Sequence, residues 1–257
     1  MIWRREVCPL EGDRVLHVAL PEGYEDSDQD YPLLVCLDAQ WTFGTVCDAS
    51  LNLGLARLLP RVVVAGIGWQ ATQARQVTRL RAESYTPTAA AYPPFMAPAG
   101  AATGGGPAYL AWLLERALPE LERRYRVRPD ERTLIGHSLS GLFGVYTLLH
   151  APGTFGRWLL ASPSTWWDDR VIFGIEARQP DADIAAAAAP ARVFLSVGSE
   201  EQRVGDIPMV ANTEELRDRL RGARRPGLDV TLAMLDGELH HSTIPAAVSR
   251  GLRWLYR

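Results

Sequence analysis

Short solid runs of apolar residues alternate along this chain with longer segments whose apolar positions recur every three to four residues. The solid runs at 32–37, 62–67, 133–136, 158–161 and 191–197 read as strands buried on both faces, the pattern of a parallel sheet. Segments 15–20 and 228–235 add two more strands, the first closed by Pro21. The helical period marks 47–59, with Leu51, Leu55 and Leu58 on one face, and 108–125, with Tyr109, Leu113, Ala117, Leu121 and Tyr125 spaced by four. Pro119 is expected to kink the second of these. Further helices are predicted at 139–150, 210–220 and 244–255. Strand–helix alternation of this kind predicts an α/β fold, a mostly parallel central sheet with helices on both faces. No repeat or composition break divides residues 1–257, so a single domain is expected.

One stretch departs from the alternation. Residues 70–107 carry Arg75, Arg79 and Arg81, then Tyr85-Thr86-Pro87, then a tract rich in proline, alanine and glycine. A long irregular segment inside a compact domain is commonly functional, and this one is the candidate rim or lid. The alanine tract at 185–189 carries no assignment.

Composition narrows the classes. An apolar fraction of 47% and a net charge of -3 describe an ordinary globular chain without the basic footprint of a nucleic-acid binder. No run reaches the length of a membrane span. Three cysteines, Cys8, Cys36 and Cys47, have no metal-type spacing and argue against a disulfide framework. The N-terminus lacks a signal-peptide core, so the cytoplasm is the expected compartment.

The chemistry concentrates at Leu134-Ile135-Gly136-His137-Ser138-Leu139-Ser140-Gly141-Leu142-Phe143. A strand running through small residues into a helix can hold a serine out at the top of the sheet, with the next backbone N–H, that of Leu139, beside it. The competing reading makes Ser138 a helix cap. A serine nucleophile needs a base. Of five histidines, His240 and His241 lie in the loop after the last strand, and His240 is the choice, with His241 as its neighbour. His137 is expected to point away from the nucleophile. An orienting carboxylate is sought just past a strand end, where Glu201 is chosen, with Glu200 and Asp206 in reserve. The second oxyanion N–H is sought in the loop after the 32–37 strand, at Gln40. Strand ends also gather Trp69, Trp166 and Trp167, and in such sheets ligands lie beyond the carboxyl ends of the strands.

With these landmarks in place, the chain resembles the esterase D and trilactone-siderophore esterase branch of the α/β-hydrolases, from about residue 15 to its end. The resemblance is carried by Leu37-Asp38-Ala39-Gln40, Arg81-Ala82-Glu83-Ser84-Tyr85-Thr86-Pro87, the Ser138 motif, Ser162-Pro163-Ser164-Thr165-Trp166-Trp167, Val197-Gly198-Ser199-Glu200-Glu201-Gln202 and Gly237-Glu238-Leu239-His240-His241-Ser242. It implies Ser138 as nucleophile, His240 as base, Glu201 as the acid where one is used, and Gln40 and Leu139 amides as the oxyanion hole. It implies ester hydrolysis through an acyl-enzyme with no cofactor and no metal, and it sets Arg81 near the substrate. Glycine is usual in that family where Ala39 and Ser140 stand here. On this reading the substrate is a small ester, a ferric catecholate siderophore being the candidate, with Arg75, Arg79 and Arg81 facing its charge and Trp69, Trp166 and Trp167 its rings. The competing reading makes these ordinary surface arginines and core or rim tryptophans. The alternatives are a generalist short-chain esterase, an acyltransferase, or a non-catalytic binding protein on a hydrolase fold, to which Ser140 and Ala39 give room.

Overall fold

Every residue of Tyr31–Leu37 (β3) and of Val63–Trp69 (β4) is buried, and these strands form the middle of the molecule. The computed structural model describes residues 4–71, 73–90, 101–179, 190–203, 207–222 and 227–257. With β1 (Arg4–Pro9), β2 (Arg14–Leu20), β5 (Val127–His137), β6 (Arg157–Ala161), β7 (Ala191–Gly198) and β8 (Leu228–Leu235), they build an eight-stranded sheet in the order β1-β2-β4-β3-β5-β6-β7-β8. β1 and β2 are antiparallel to each other, and β2 to β4. From β4 to β8 all neighbours run parallel.

Successive side chains of a strand point to opposite faces, so one solid apolar run serves two cores. Leu33, Val35 and Leu37 join the larger core, while Leu34 and Cys36 join the smaller. The helices α1 (Ala39–Leu55) and α8 (Thr243–Leu255) cover the smaller face through Phe43, Val46, Val248 and Leu252. The other face is covered by α2 (Ala74–Tyr85), α3 (Gly106–Trp112), α4 (Leu118–Arg124), α5 (Leu139–His150), α6 (Trp167–Arg178) and α7 (Met209–Arg221). Burial of each large aliphatic or aromatic side chain contributes roughly 1.5–3 kcal/mol. This is a single α/β domain with a mostly parallel sheet between helices.

Three elements differ from the sequence expectation. The first helix begins at Ala39, and its buried face is Ala39, Thr42, Phe43, Val46, Cys47, Ser50 and Leu53. Leu55 and Leu58, expected on the inner face, are exposed. The start was hidden because Asp38 enters the helix from a left-handed conformation (φ 57°, ψ 47°) and makes no side-chain cap bond. Pro119 does not simply kink one long helix. A π-helical turn at Leu113–Ala117 separates α3 from α4 and has the Leu118 N–H bonded to the Leu113 carbonyl. A proline inside a helix lacks the N–H and crowds the carbonyl four residues back; the wider turn just before it accommodates both. Within 70–107, residues 74–85 are helix α2 rather than irregular chain. Residues 91–100 of that segment, the 185–189 tract and Asp206 lie outside the described residues.

Candidate active site

The strand order brings the loops that matter to one end of the sheet. β3 and β5 are neighbours, in register at Cys36 and Ile135, so Asp38–Gln40 lies beside Ser138. β6, β7 and β8 follow, bringing Ser162, Glu201 and His240 in from the other side.

Ser138 is the one-residue turn between β5 and α5, with φ 61° and ψ -118°. Holding a non-glycine residue there costs on the order of 1–3 kcal/mol, which its surroundings offset. The Ser138 N–H donates to the Ala161 carbonyl (3.0 Å), and the Ser138 carbonyl accepts from Leu142 (2.9 Å) and Ser164 (3.1 Å). A Cβ at Gly136 would sit 2.4 Å from the Ser140 carbonyl oxygen, so the tight return of the chain requires glycine there. Ser140 turns its side chain away from the cavity. Its hydroxyl donates to the His137 carbonyl (2.9 Å) and accepts from the His137 N–H (3.0 Å), tying the elbow closed. Ala39 is accommodated across the sheet because Gly66 has no Cβ; one placed there would lie 2.9 Å from the Ala39 methyl.

The Ser138 hydroxyl lies 2.9 Å from His240 Nε2, and His240 Nδ1 lies 2.6 Å from Glu201 Oε2. Glu201 is buried on the short 3-10 turn after β7, and its Oε1 accepts from Ser162 Oγ (2.6 Å) and the Gly198 N–H (2.7 Å). Burial works to raise this carboxyl. The bonds from His240 and Ser162, the charge of His240 and the Gly198 amide outweigh it, so the group titrates below the usual carboxylate range. Glu200 instead uses its backbone N–H on the Glu238 carbonyl (3.2 Å), which ties the Glu201 turn to the His240 loop.

His137 turns from Ser138 Oγ towards the His240 loop. Its ring lies 4.7 Å from that of His240, and its Nε2 is 2.7 Å from the His240 carbonyl, so that nitrogen carries the proton and donates. Thr243 Oγ1 donates to the same carbonyl (2.9 Å). Burial, then the charge of His240, hold His137 neutral, well below the ordinary histidine range. Ser164 Oγ approaches Ser138 Oγ at 3.2 Å.

A cavity of about 770 Å³ opens over Ser138 and His240, lined also by Gln40, Trp41, Thr78, Arg81 and His241. Two helix N-termini meet here. Gln40 stands in the first turn of α1 and Leu139 in the first turn of α5, where backbone N–H groups have no intrahelical acceptor. The remaining sequence candidates are scattered. Trp69 is buried against Tyr85 and Tyr109, and Trp167 is buried with its indole N–H on the Thr88 carbonyl (3.3 Å). Trp166 is half-buried beside Trp167. None of the three lines the cavity, because strand-end position fixes a loop but not the direction of its side chains. Arg79 is exposed and pairs with Glu83 (3.5 Å), also off the cavity. Arg81 does line it, with its guanidinium bonded through two nitrogens to Asp38 (2.7 and 2.9 Å). The tryptophan that faces the cavity is Trp41, 45% exposed, in the first turn of α1 just past the end of β3. Among the described residues no group of three or more His, Cys, Asp and Glu side chains is arranged for a metal ion. No helix among them is long and apolar enough to cross a membrane.

The profile of the family described as "Putative esterase" matches residues 9–226. The ferri-bacillibactin esterase BesA of Bacillus subtilis is 31% identical over 234 residues, covering 87% of this chain and 78% of that protein. The siderophore enterobactin esterase of Emericella nidulans is 36% identical over 222 residues, covering 75% and 71%. Among solved structures, the BES protein from Bacillus cereus superimposes with a TM-score of 0.83 at 25% identity, covering 100% of this chain and 94% of that one.

Proposed function

We propose, from the premise that this chain belongs to the "Putative esterase" family and is a serine carboxylic-ester hydrolase, that its substrate is an ester of a siderophore. The relatives named above carry the substrate class. The observation that carries the catalytic assignment is the unbroken line Ser138–His240–Glu201 opening onto a cavity.

In this mechanism Ser138 Oγ attacks the ester carbonyl while His240 Nε2 takes its proton. Glu201 keeps the other proton on Nδ1 and stabilises the imidazolium. The oxyanion lies against the Gln40 and Leu139 amides, where two helix dipoles add to the hydrogen bonds. His240 then protonates the departing alcohol. Water, deprotonated by the same histidine, releases the acid and restores Ser138. Thr78 of α2 and the exposed Trp41 form the rim that meets the substrate. The free thiols of Cys8, Cys36 and Cys47 support a reducing compartment such as the cytoplasm.

A second reading, a generalist short-chain esterase, is favoured by one observation. Arg79 lies off the cavity and Arg81 is engaged by Asp38, so the lining offers less positive charge than the arginine-rich segment suggested. Parallel hydrolysis of an iron-loaded tricatecholate trilactone and p-nitrophenyl butyrate separates the two, with Ser138→Ala as control. A kcat/KM at least tenfold higher on the trilactone is expected. No trilactone cleavage alongside brisk hydrolysis of the simple ester would refute the siderophore assignment.

A further inference from the structure

Asp38 occupies the N-cap of α1, yet its carboxylate caps nothing. An aspartate at this position ordinarily accepts the backbone N–H two or three residues on. Here those amides belong to Gln40 and Trp41. The Trp41 N–H is already used, donating to the Asp38 carbonyl (2.9 Å), as does that of Thr42 (3.1 Å). The amide left for the carboxylate would be that of Gln40, the same N–H the acyl-transfer mechanism assigns to the oxyanion. A capping aspartate and an open oxyanion hole therefore compete for one donor.

Arg81 decides the competition. Its Nε lies 2.7 Å from one carboxylate oxygen of Asp38 and its Nη2 2.9 Å from the other. The planar fork holds both oxygens at once, as a lysine could not. The pair is buried, with side-chain exposures of 11% for Arg81 and 2% for Asp38, so Arg81 has little surface to offer a ligand. The Trp41 ring lies 4.9 Å from the guanidinium carbon and packs it in place. Asp38 itself is left-handed, a conformation Asp tolerates better than most residues. Arg81 is on α2, 43 residues further along the chain, so this contact joins the rim helix to the oxyanion turn.

We propose that Arg81 is a positioning residue: it holds the Asp38 carboxylate away from the Gln40 amide and neutralises its charge, keeping that amide open for the developing oxyanion. This rests on the esterase mechanism above and deepens it. It also reassigns Arg81 from contacting an anionic substrate to keeping the oxyanion hole free.

The test is steady-state hydrolysis of p-nitrophenyl acetate, a neutral ester, and of an anionic ester of the same acyl group. The variants are Arg81→Met, Arg81→Lys and the double variant Arg81→Met/Asp38→Gly. Glycine removes the carboxylate and adopts the left-handed turn without strain. Arg81→Met is expected to lower kcat by about a hundredfold, the scale of losing one oxyanion donor, with KM changed less than about threefold on both esters. The double variant should recover at least tenfold of that loss. Arg81→Lys, which keeps the buried charge paired, should fold and lose about tenfold in kcat; it carries the test if Arg81→Met fails to fold. An Arg81 variant that raises KM for the anionic ester alone with kcat unchanged would overturn the proposal in favour of a substrate contact. A double variant no faster than Arg81→Met would overturn it too. If the wild-type protein hydrolyses neither ester and takes no fluorophosphonate label, the esterase reading fails instead.

Discussion

Replacing Glu201 with glutamine isolates what the carboxylate does, because the surrounding donors dictate how the new amide sits. Glu201 Oε1 accepts from the Gly198 N–H at 2.7 Å and from Ser162 Oγ at 2.6 Å. The Ser162 hydroxyl can rotate, but the Gly198 N–H can only donate. The glutamine carbonyl must therefore take the Oε1 position, and its NH2 falls where Oε2 stood, 2.6 Å from His240 Nδ1. That NH2 donates, so His240 is driven to carry its proton on Nε2. The nitrogen facing Ser138 at 2.9 Å then offers a proton where the mechanism needs a lone pair. A wrong tautomer of this kind costs about 10⁴ in rate, or about 5.5 kcal/mol at 1.36 kcal/mol per decade. The fold changes little, since the side chain is isosteric and each of its bonds survives with weaker charge assistance, a loss of roughly 1–2 kcal/mol. The assay is kcat/KM on p-nitrophenyl acetate from pH 6 to 9, with thermal midpoints and fluorophosphonate labelling rates alongside. Activity of Glu201→Gln within tenfold of wild type at neutral pH, at an unchanged midpoint, would refute the reasoning. Ser138 and His240 would then suffice as a catalytic pair.

Two further outcomes are expected. His240→Ala should abolish fluorophosphonate labelling and at least 10³-fold of kcat, while His241→Ala, an exposed residue whose ring centroid lies 5.1 Å from that of His240, should stay within about tenfold; the reverse ranking would reassign the base. Stability should also depend on pH through His137, which burial and then His240 hold well below the ordinary range. The unfolded chain binds a proton there below about pH 6.5 that the native state refuses, so the stabilisation is present above that pH and declines as pH falls, by up to about 1.4 kcal/mol per unit for this group. His17 and His241, also lowered by burial, act in the same direction. Urea midpoints at pH 5.5 and 7.5 should therefore converge in His137→Asn relative to wild type, and an unchanged pH slope in that variant would exclude His137 as the source.

Much of the architecture is local information and was legible in the chain. A strand buried on both faces must be apolar at every position, and a helix on a sheet must be apolar every third or fourth, so strand order along the sequence and the α/β class follow from the pattern. The elbow at Ser138 is legible for the same reason: its glycines, its serine and the flanking runs are contiguous. The tertiary structure decided which way side chains point and what they meet across long separations. Trp69, Trp166 and Trp167 sit at or just beyond strand ends as expected, yet turn into or lie along the core, while Trp41 faces the cavity. Ser140 could have put a hydroxyl in the pocket and instead closes on the His137 backbone. Arg81 reads as a cation for a ligand until Asp38, brought beside it by the folding of α2 over the β3 turn, takes both edges of its fork. Periodicity records whether a position is buried, because burial is an average over an element's face. It cannot record a single hydrogen-bond partner, because that partner is chosen by a distant segment whose approach exists only once the sheet has formed.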